Sequence, residues 1–448
     1  MSASYAPRLG LFSASMAVVG GIIGSGIFLN PRIVAQRMYG ITGGAVGVWI
    51  LGGLIALLGA FCFAELGARR PRAGGGYVYL RETFGALPAF LYGWALLLVM
   101  ATGACAAVAV TFATYLTAVF SWDQRLVQPV AVGAIVLLSA VNYVGVRPGA
   151  WTQNVFTLLK LGALALLIVT ALFAALPAAP QITPTEDAFV ASPAGGLLLA
   201  AGAALSPVLF AYGGWQQTNF IAEEIVDARR TLPRALLLGT SVVVLVYVLA
   251  NVGYLRVLGG AGLALSAAPA ADVMGSAVGD WGRRLISIGI ACSTFGFLNL
   301  VILVSPRVYQ AMAADGAFFP ALARLHPVHR TPAAAIVVQG VWAVLLTLSG
   351  TYGQLLDYVV FGDWIFFGLT AATLFVVRRR GEPHEGYRVP FYPLAPLLFC
   401  LAAVYVVAGS ILSNPRNAAI GALLIAAGAP VFMFWTWMTR SRGAPPPA

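Results

Sequence analysis

The sequence predicts an all-α integral membrane protein with twelve transmembrane helices, and three observations carry that reading. Hydrophobic residues make up 60% of the 448 positions and charged ones 9%, where soluble domains carry about 25% charged residues; mean hydropathy is +0.88. Apolar runs of roughly 20 residues, each long enough to cross a hydrocarbon core of about 30 Å as a helix, recur along the whole chain. The arginines collect between those runs.

In the first half the runs fall at 11–30, 43–66, 86–118, 127–146, 151–176 and 194–221. The second half adds 234–258, 283–312, 333–350, 355–377, 391–413 and 418–438. What remains holds no soluble domain, so 1–448 reads as a single transmembrane domain. The start, MSASYAPRLG, has one arginine, and the glycines that follow replace a small-residue cleavage site, so no signal peptide is expected. With the N-terminus inside, the inner segments hold 18 of the 25 arginines and the outer ones seven: Arg32, Arg37, Arg125, Arg256, Arg283, Arg284 and Arg416. By the positive-inside rule both termini are cytoplasmic. Orientation therefore accounts for the net charge of +11 better than nucleic-acid binding does.

The four cysteines, Cys62, Cys105, Cys292 and Cys400, lie inside runs and show no CxxC spacing. They read as small core residues. His326, His329 and His384 fall in inner loops, which argues against a zinc site and against a Ser-His-Asp hydrolase. The loop PRAGGGYVYLRETFG has neither a preceding strand nor a GK[ST], so it reads as a gating segment and not a P-loop. No enzyme activity, cofactor or metal is expected.

Two runs have the wrong composition for a plain lipid-facing rod. The first contains VGGIIGSGIF (19–28) and the sixth SPVLFAYGGW (206–215). One reading is close packing through small residues, since Gly20 and Gly24 have GxxxG spacing. The other is that both helices are interrupted. Runs one and six occupy the corresponding place in each half of a five-plus-five inverted repeat, about 11–176 and 194–377, with 391–438 as two extra helices. An interruption inside the bilayer frees N–H and C=O groups, which is tolerable only around a polar ligand or water. Half-helix N-termini suit a carboxylate and half-helix C-termini an ammonium, so the fitting ligand is an α-amino acid.

GGIIGSGIF, FAYGGWQQTNFIAEEIVDARRTLPRA, AELGARRPRAGGGYVYLRETFG and STFGFLNLVILVSPRVYQAMAADGAFFP together resemble the amino acid, polyamine and organocation (APC) superfamily. The similarity covers essentially the whole chain and is closest to the L-type amino acid transporters and their bacterial alanine-serine-cysteine exchangers. It implies a LeuT-like fold with helices one and six discontinuous. It also implies a sodium-independent secondary transporter, an exchanger, of small neutral α-amino acids. The alternatives are a proton-coupled amino acid, GABA or polyamine carrier and, more distantly, an amino acid sensor. Carried onto this sequence, the substrate carboxylate meets the N–H groups of Ser25, Gly26 and Ile27 and the Ser25 hydroxyl. The ammonium meets the carbonyls of Ile22, Phe210 and Gly213. Phe210 is the outer gate, and Trp215, Gln216 and Trp364 shape the side-chain pocket, although Trp364 also reads as a lipid-facing anchor. Gly21 stands where the family often has threonine, which implies a larger or wetter floor. The loop FSWDQRLVQP lacks the cysteine by which animal members join an accessory glycoprotein, so no disulfide-linked partner is expected.

Lys160 is the only lysine in the chain, within QNVFTLLKLGALALLIVTALF. A lysine at a helix centre costs about 2.5–3.5 kcal/mol, and one lying about ten residues into its run is too deep to snorkel. A protein partner is therefore expected. The resemblance implies that its ammonium points at the interrupted first helix, near Gly20 and Gly21, standing where sodium sits in ion-coupled relatives; a purely structural lysine is the other reading. Asp363, eight residues into its run, reads either as a structural hydrogen-bonding residue or as one that tunes substrate or proton. Glu65, Glu223 and Glu224 are expected to pair with inner arginines such as Arg69 or Arg229.

Overall fold

The computed structural model describes residues 5–39, 41–174, 196–349 and 352–441. The chain opens on α1 (Leu11–Ile22) and α2 (Gly26–Arg37), which meet at a 41° bend. It continues through α3 (Thr42–Arg69), α4 (Gly76–Phe84), α5 (Ala86–Ala95), a π-helical turn at Leu96–Met100, α6 (Ala101–Val119), α7 (Val127–Val144) and α8 (Val146–Phe173). Next come α9 (Gly196–Ala211), a 3₁₀ run at Trp215–Glu224, α10 (Ala228–Leu265), α11 (Pro269–Val278), α12 (Asp280–Val304) and α13 (Pro306–Ala314). The last helices are α14 (Ala333–Ser349), α15 (Tyr352–Arg379), α16 (Leu394–Ser413), α17 (Pro415–Ala426) and α18 (Gly428–Ser441).

Among the described residues nine helical stretches are long and apolar enough to cross a membrane, and ten if α1 and α2 form one bent span. The other two of the twelve runs are short here: α9 has 16 residues and α14 has 17. Helix α9 ends early because Gly213 and Gly214 follow it, Gly214 with a φ of +113° that only glycine adopts without strain. The first residues of the run at 194–221 and the end of that at 333–350 lie outside the described residues. The sole β pairing described is a bridge between Leu9 and Ile225.

Burial separates centre from rim. In the stretches Ala86–Val119 and Asp280–Ala314 the most apolar windows are 78% and 72% buried, against 17% in Pro415–Met438. Helices α6 and α12 therefore form the centre, with α8 packed on α12, while α16 to α18 lie outside. The exposed side chains of the rim, such as Leu401, Val404, Phe434 and Trp437, are apolar, as a bilayer solvent requires. Inside, Trp49 of α3 meets Tyr212 and Tyr247 edge-on at 5.7 and 5.8 Å, which fixes the end of α9 against α3 and α10.

The arginine-rich end of the bundle is tied by carboxylates. Glu65 is fully buried and accepts from Arg69 (2.7 Å), Arg378 (2.5 Å) and the Val389 N–H (2.7 Å). Glu224 pairs with Arg307 at 2.7 Å and not with Arg229, because Arg307 projects inward from α13 while Arg229 is exposed at the start of α10. Both members of the Arg307–Glu224 pair are almost wholly buried. Removing one partner of such a pair strands the other charge, at about 3–5 kcal/mol. Arg307→Ala should therefore lower the melting temperature of the purified protein sharply, and adding Glu224→Ala should restore much of the loss. A double variant as unstable as the sum of the singles would show that the pair is not coupled.

Candidate functional site

Helix α1 stops at Ile22 and α2 starts at Gly26, with Ile23, Gly24 and Ser25 between them. The carbonyls freed at the end of α1 are taken up by the protein. Lys160 donates to Gly20 O at 3.1 Å and to Ile23 O at 2.6 Å. The Ser293 hydroxyl reaches Ile23 O at 3.3 Å and Gly24 O at 3.2 Å. Tyr247 donates to Ile22 O at 3.1 Å, and the Gly24 N–H reaches the same oxygen at 2.9 Å. On the other side Ser25 is the N-cap of α2 and its side chain makes no capping bond; the Phe28 N–H reaches Ser25 O at 3.0 Å, and the N–H groups before it have no partner within the helix.

Lys160 is fully buried and pairs with no carboxylate among the described residues. It belongs to a polar stripe on α8, Gln153, Thr157 and Lys160, spaced to lie on one helix face. Thr157 reaches Met16 O at 3.3 Å, and a Cβ on Gly20 would run into Gln153 and Thr157. Gly20 is thus where α1 lies closest to α8.

The second interruption touches the first. A Cβ on Gly214 would overlap the Gly21 carbonyl, and one on Gly21 would come within 2.8 Å of Gly214 O and 2.7 Å of Leu300. Gly21 therefore forms no wet floor: the space a threonine would occupy is filled by backbone and Leu300. The Gly213 N–H returns to Phe210 O at 3.1 Å, and the Gly214 N–H is held by the Gln216 side chain at 3.0 Å.

Both interruptions border one cavity of about 1040 Å³, mouth included. Ile22, Ser25, Gly26, Phe210, Gly213, Gln216, Asp363 and Trp364 line it. Ile27, Gly20, Gly21, Lys160 and Trp215 do not. Ile27 is fully buried. The Trp215 ring turns away to pack on Phe63 (4.9 Å), Phe367 and Phe399 (5.9 Å each), so it supports the wall from behind. Ile22 borders the cavity, but Tyr247 and Gly24 already occupy its carbonyl. Trp364 is buried and faces the cavity, which removes the lipid-anchor reading. Asp363 faces it too, and its carboxylate has no hydrogen bond or ion pair among the described residues.

The opposite wall escaped the sequence reading. Ala101, Ala104, Val108 and Thr111 of α6 line it, together with Leu96 and Met100 of the π turn. The small residues at helical spacing were a usable signal; the π turn, which Thr102 steadies through Leu97 O at 2.7 Å, has none. Phe210 and Val360 border this cavity and also a second one lined by Asn30, Arg37 and Asn417, so they form the partition between the two. At the other end the cavity reaches Phe220 and Ser305; a turn farther along, Glu224 and Arg307 pair. Among the described residues no group of His, Cys, Asp or Glu is arranged to hold a metal ion.

The sequence matches the family model described as amino acid permease over residues 9–437. It is 34% identical to the Homo sapiens b(0,+)-type amino acid transporter 1 over 91% of this chain and 83% of that protein. It is 33% identical to the Homo sapiens Asc-type amino acid transporter 1, covering 96% and 82%. A third relative, the Oryctolagus cuniculus large neutral amino acids transporter small subunit 2, is 34% identical over 96% and 81%.

Removing the ammonium of Lys160 would orphan the Gly20 carbonyl and leave Ile23 O only the longer Ser293 contact, at about 1–3 kcal/mol for each stranded group. Lys160→Ala should lower the melting temperature of the purified protein, and Lys160→Met, which keeps the apolar stem but has no donor, should not restore it. Full stability in the alanine variant would mean that the α1 carbonyls do not depend on Lys160.

Proposed function

The chain belongs to the amino acid permease family, and on that premise we propose that it works as a sodium-independent exchanger of small neutral α-amino acids. Membership places it among membrane transporters and not among enzymes. The observation that carries the proposal is the meeting of two interrupted helices, at Gly21 and Gly214, beside a single cavity. In this reading the chain has twelve spans, α1–α8 and α9–α15 form the two inverted repeats, and both termini are cytoplasmic. Access alternates around the cavity.

The proposed roles follow from which groups are free. The N–H groups opening α2, at Ser25, Gly26 and Ile27, and the Ser25 hydroxyl bind the carboxylate. The Gly213 carbonyl and the remaining lone pair of Phe210 O accept from the ammonium. Gln216 and Trp364 meet the side chain, and the Phe210 ring closes the partition toward the second cavity. Lys160 supplies a fixed charge behind α1 that needs no ion from solution. The name of one relative, large neutral amino acids transporter, supports neutral substrates, though not small ones. One of them is called a small subunit; with no cysteine in FSWDQRLVQP, we propose that this chain works without a disulfide-linked partner.

Asp363 favours a second reading. A charged side chain inside a membrane protein is costly unless a counter-charge or a proton meets it, so a cationic amino acid, a polyamine or a coupling proton would suit that carboxylate.

In liposomes loaded with alanine, labelled alanine should enter faster than in empty ones, and replacing sodium by choline should change nothing. Sodium-dependent entry would contradict the role given to Lys160. Phe210→Ala should cut the transport rate by about tenfold or more while weakening equilibrium binding much less; equal losses would make Phe210 a simple contact. Serine, threonine and cysteine should compete with alanine, and Asp363→Asn should leave that competition intact. Should arginine, lysine or a polyamine compete best, and Asp363→Asn abolish it, the second reading replaces the first.

A further inference from the structure

A groove of about 1700 Å³ opens at the arginine-rich end of the bundle, well away from the amino acid cavity and sharing no residue with it. Its walls are the end of α3, the start of α10 and the loop at 383–387. Five arginines line it, and they are not equivalent. Arg69 is committed to the buried Glu65 at 2.7 Å, and Arg70 is held by Glu82 and Glu382. Arg229, Arg230 and Arg234 are exposed and make no ion pair or side-chain hydrogen bond among the described residues.

The groove is net positive. Asp227 and Glu385 also line it, neither in an ion pair among the described residues, so three free guanidinium groups face two carboxylates, and Arg69 shares the single charge of Glu65 with Arg378. His384 adds none at neutral pH, because burial holds its pKa below the usual histidine value; its Nε2 lies 2.9 Å from Tyr387 O. A net positive charge with unpaired guanidinium groups suits a phosphodiester anion.

The position of the groove says where that phosphodiester comes from. Leu238, Val242 and Leu245 form an exposed apolar stripe on one face of α10, and Arg234 and Arg230 extend the same face four and eight residues earlier. At 1.5 Å of rise per residue they lie about 6 and 12 Å beyond Leu238 along the axis. The polar headgroup layer begins where the hydrocarbon ends and is about 5–8 Å deep on each side. With the hydrocarbon edge set at Leu238, the last exposed apolar residue of the stripe, Arg234 falls at headgroup depth and Arg230 reaches that layer through its long side chain. Basic pockets so placed recognise anionic headgroups.

We propose that this groove seats the headgroup of an anionic phospholipid, with its acyl chains lying along Leu238, Val242 and Leu245. The lipid would brace α10 at the point where Ile225–Asp227 joins it to the 3₁₀ run that ends the second interrupted helix.

The test uses the purified full chain in mild detergent. Phosphatidylglycerol should raise its melting temperature by several degrees, phosphatidylcholine should not, and the gain should shrink in high salt. Replacing Arg229, Arg230 and Arg234 together by glutamine should abolish the gain without changing the melting temperature in phosphatidylcholine. If that variant does not fold, Arg234→Gln alone, an exposed change, should remove at least half of it. Equal gains from both lipids, or a gain that survives the substitutions, would overturn the proposal. Glycerophosphoglycerol, the same phosphodiester without acyl chains, should have no effect; if it reproduces the gain, the groove binds a soluble phosphodiester and the assignment to lipid is wrong.

Discussion

The structure depends on how the open ends of α1 and α2 are satisfied inside a membrane-spanning bundle. The two ends are treated differently. Carbonyls at the end of α1 are met by Lys160, Ser293 and Tyr247, side chains from three other helices. The N–H groups that open α2 face the cavity beside an uncapped Ser25. The protein thus closes the negative end of the break itself and leaves the positive end open to the cavity. In the proposed reading that asymmetry makes the carboxylate the better specified half of an amino acid, because its donors are backbone groups that cannot turn away. The ammonium has fewer free acceptors, chiefly around Phe210 and Gly213.

The second consequence is mechanical. Gly21 and Gly214 bring the two interruptions into backbone contact, with no side chain between them. Interfaces of that kind move as a unit or separate; they do not deform gradually, since packed backbone has no compliant side chain to absorb a shift. Tyr212 and Tyr247 carry the contact outward, to Trp49 on α3 and to Ile22 O on α1. A movement of either half-helix is therefore felt by α3 and α10 together.

Much of this was legible in the sequence, and what was not has identifiable causes. The membrane class follows from composition, and the interruptions from glycines clustered inside apolar runs. A lone lysine too deep to snorkel announces a partner, although only coordinates show that the partners are Gly20 and Ile23. Rotation about a helix axis was harder. Asp363 and Trp364 are adjacent, and sequence cannot say that both border the cavity while Trp215, in a motif that names it for the pocket, packs behind the wall. The 3₁₀ geometry after Gly214 is what turns that ring toward Phe63. A glycine in place of threonine reads as added space, whereas Gly21 is where another backbone passes.

Magnitudes separate the parts of the arginine-rich end that can cycle from those that cannot. In the alternating access proposed above, contacts there must open and close at each turnover. Arg307 and Glu224 are 0% and 2% exposed; parting such a pair costs about 3–5 kcal/mol, too much for a contact that opens routinely. Arg81–Asp315 and Arg70–Glu82 are different, with side chains 19–34% exposed, and partly solvated pairs contribute only about 0–1 kcal/mol. Both join α4 to its surroundings: Arg81 lies on it, and Glu82 follows on the same helix. The buried pair then acts as a strut holding α13 to the end of the 3₁₀ run, whereas the ion pairs at the charged end of α4 are weak enough to open, and Tyr77, Tyr79 and Leu80 keep the rest of that helix packed.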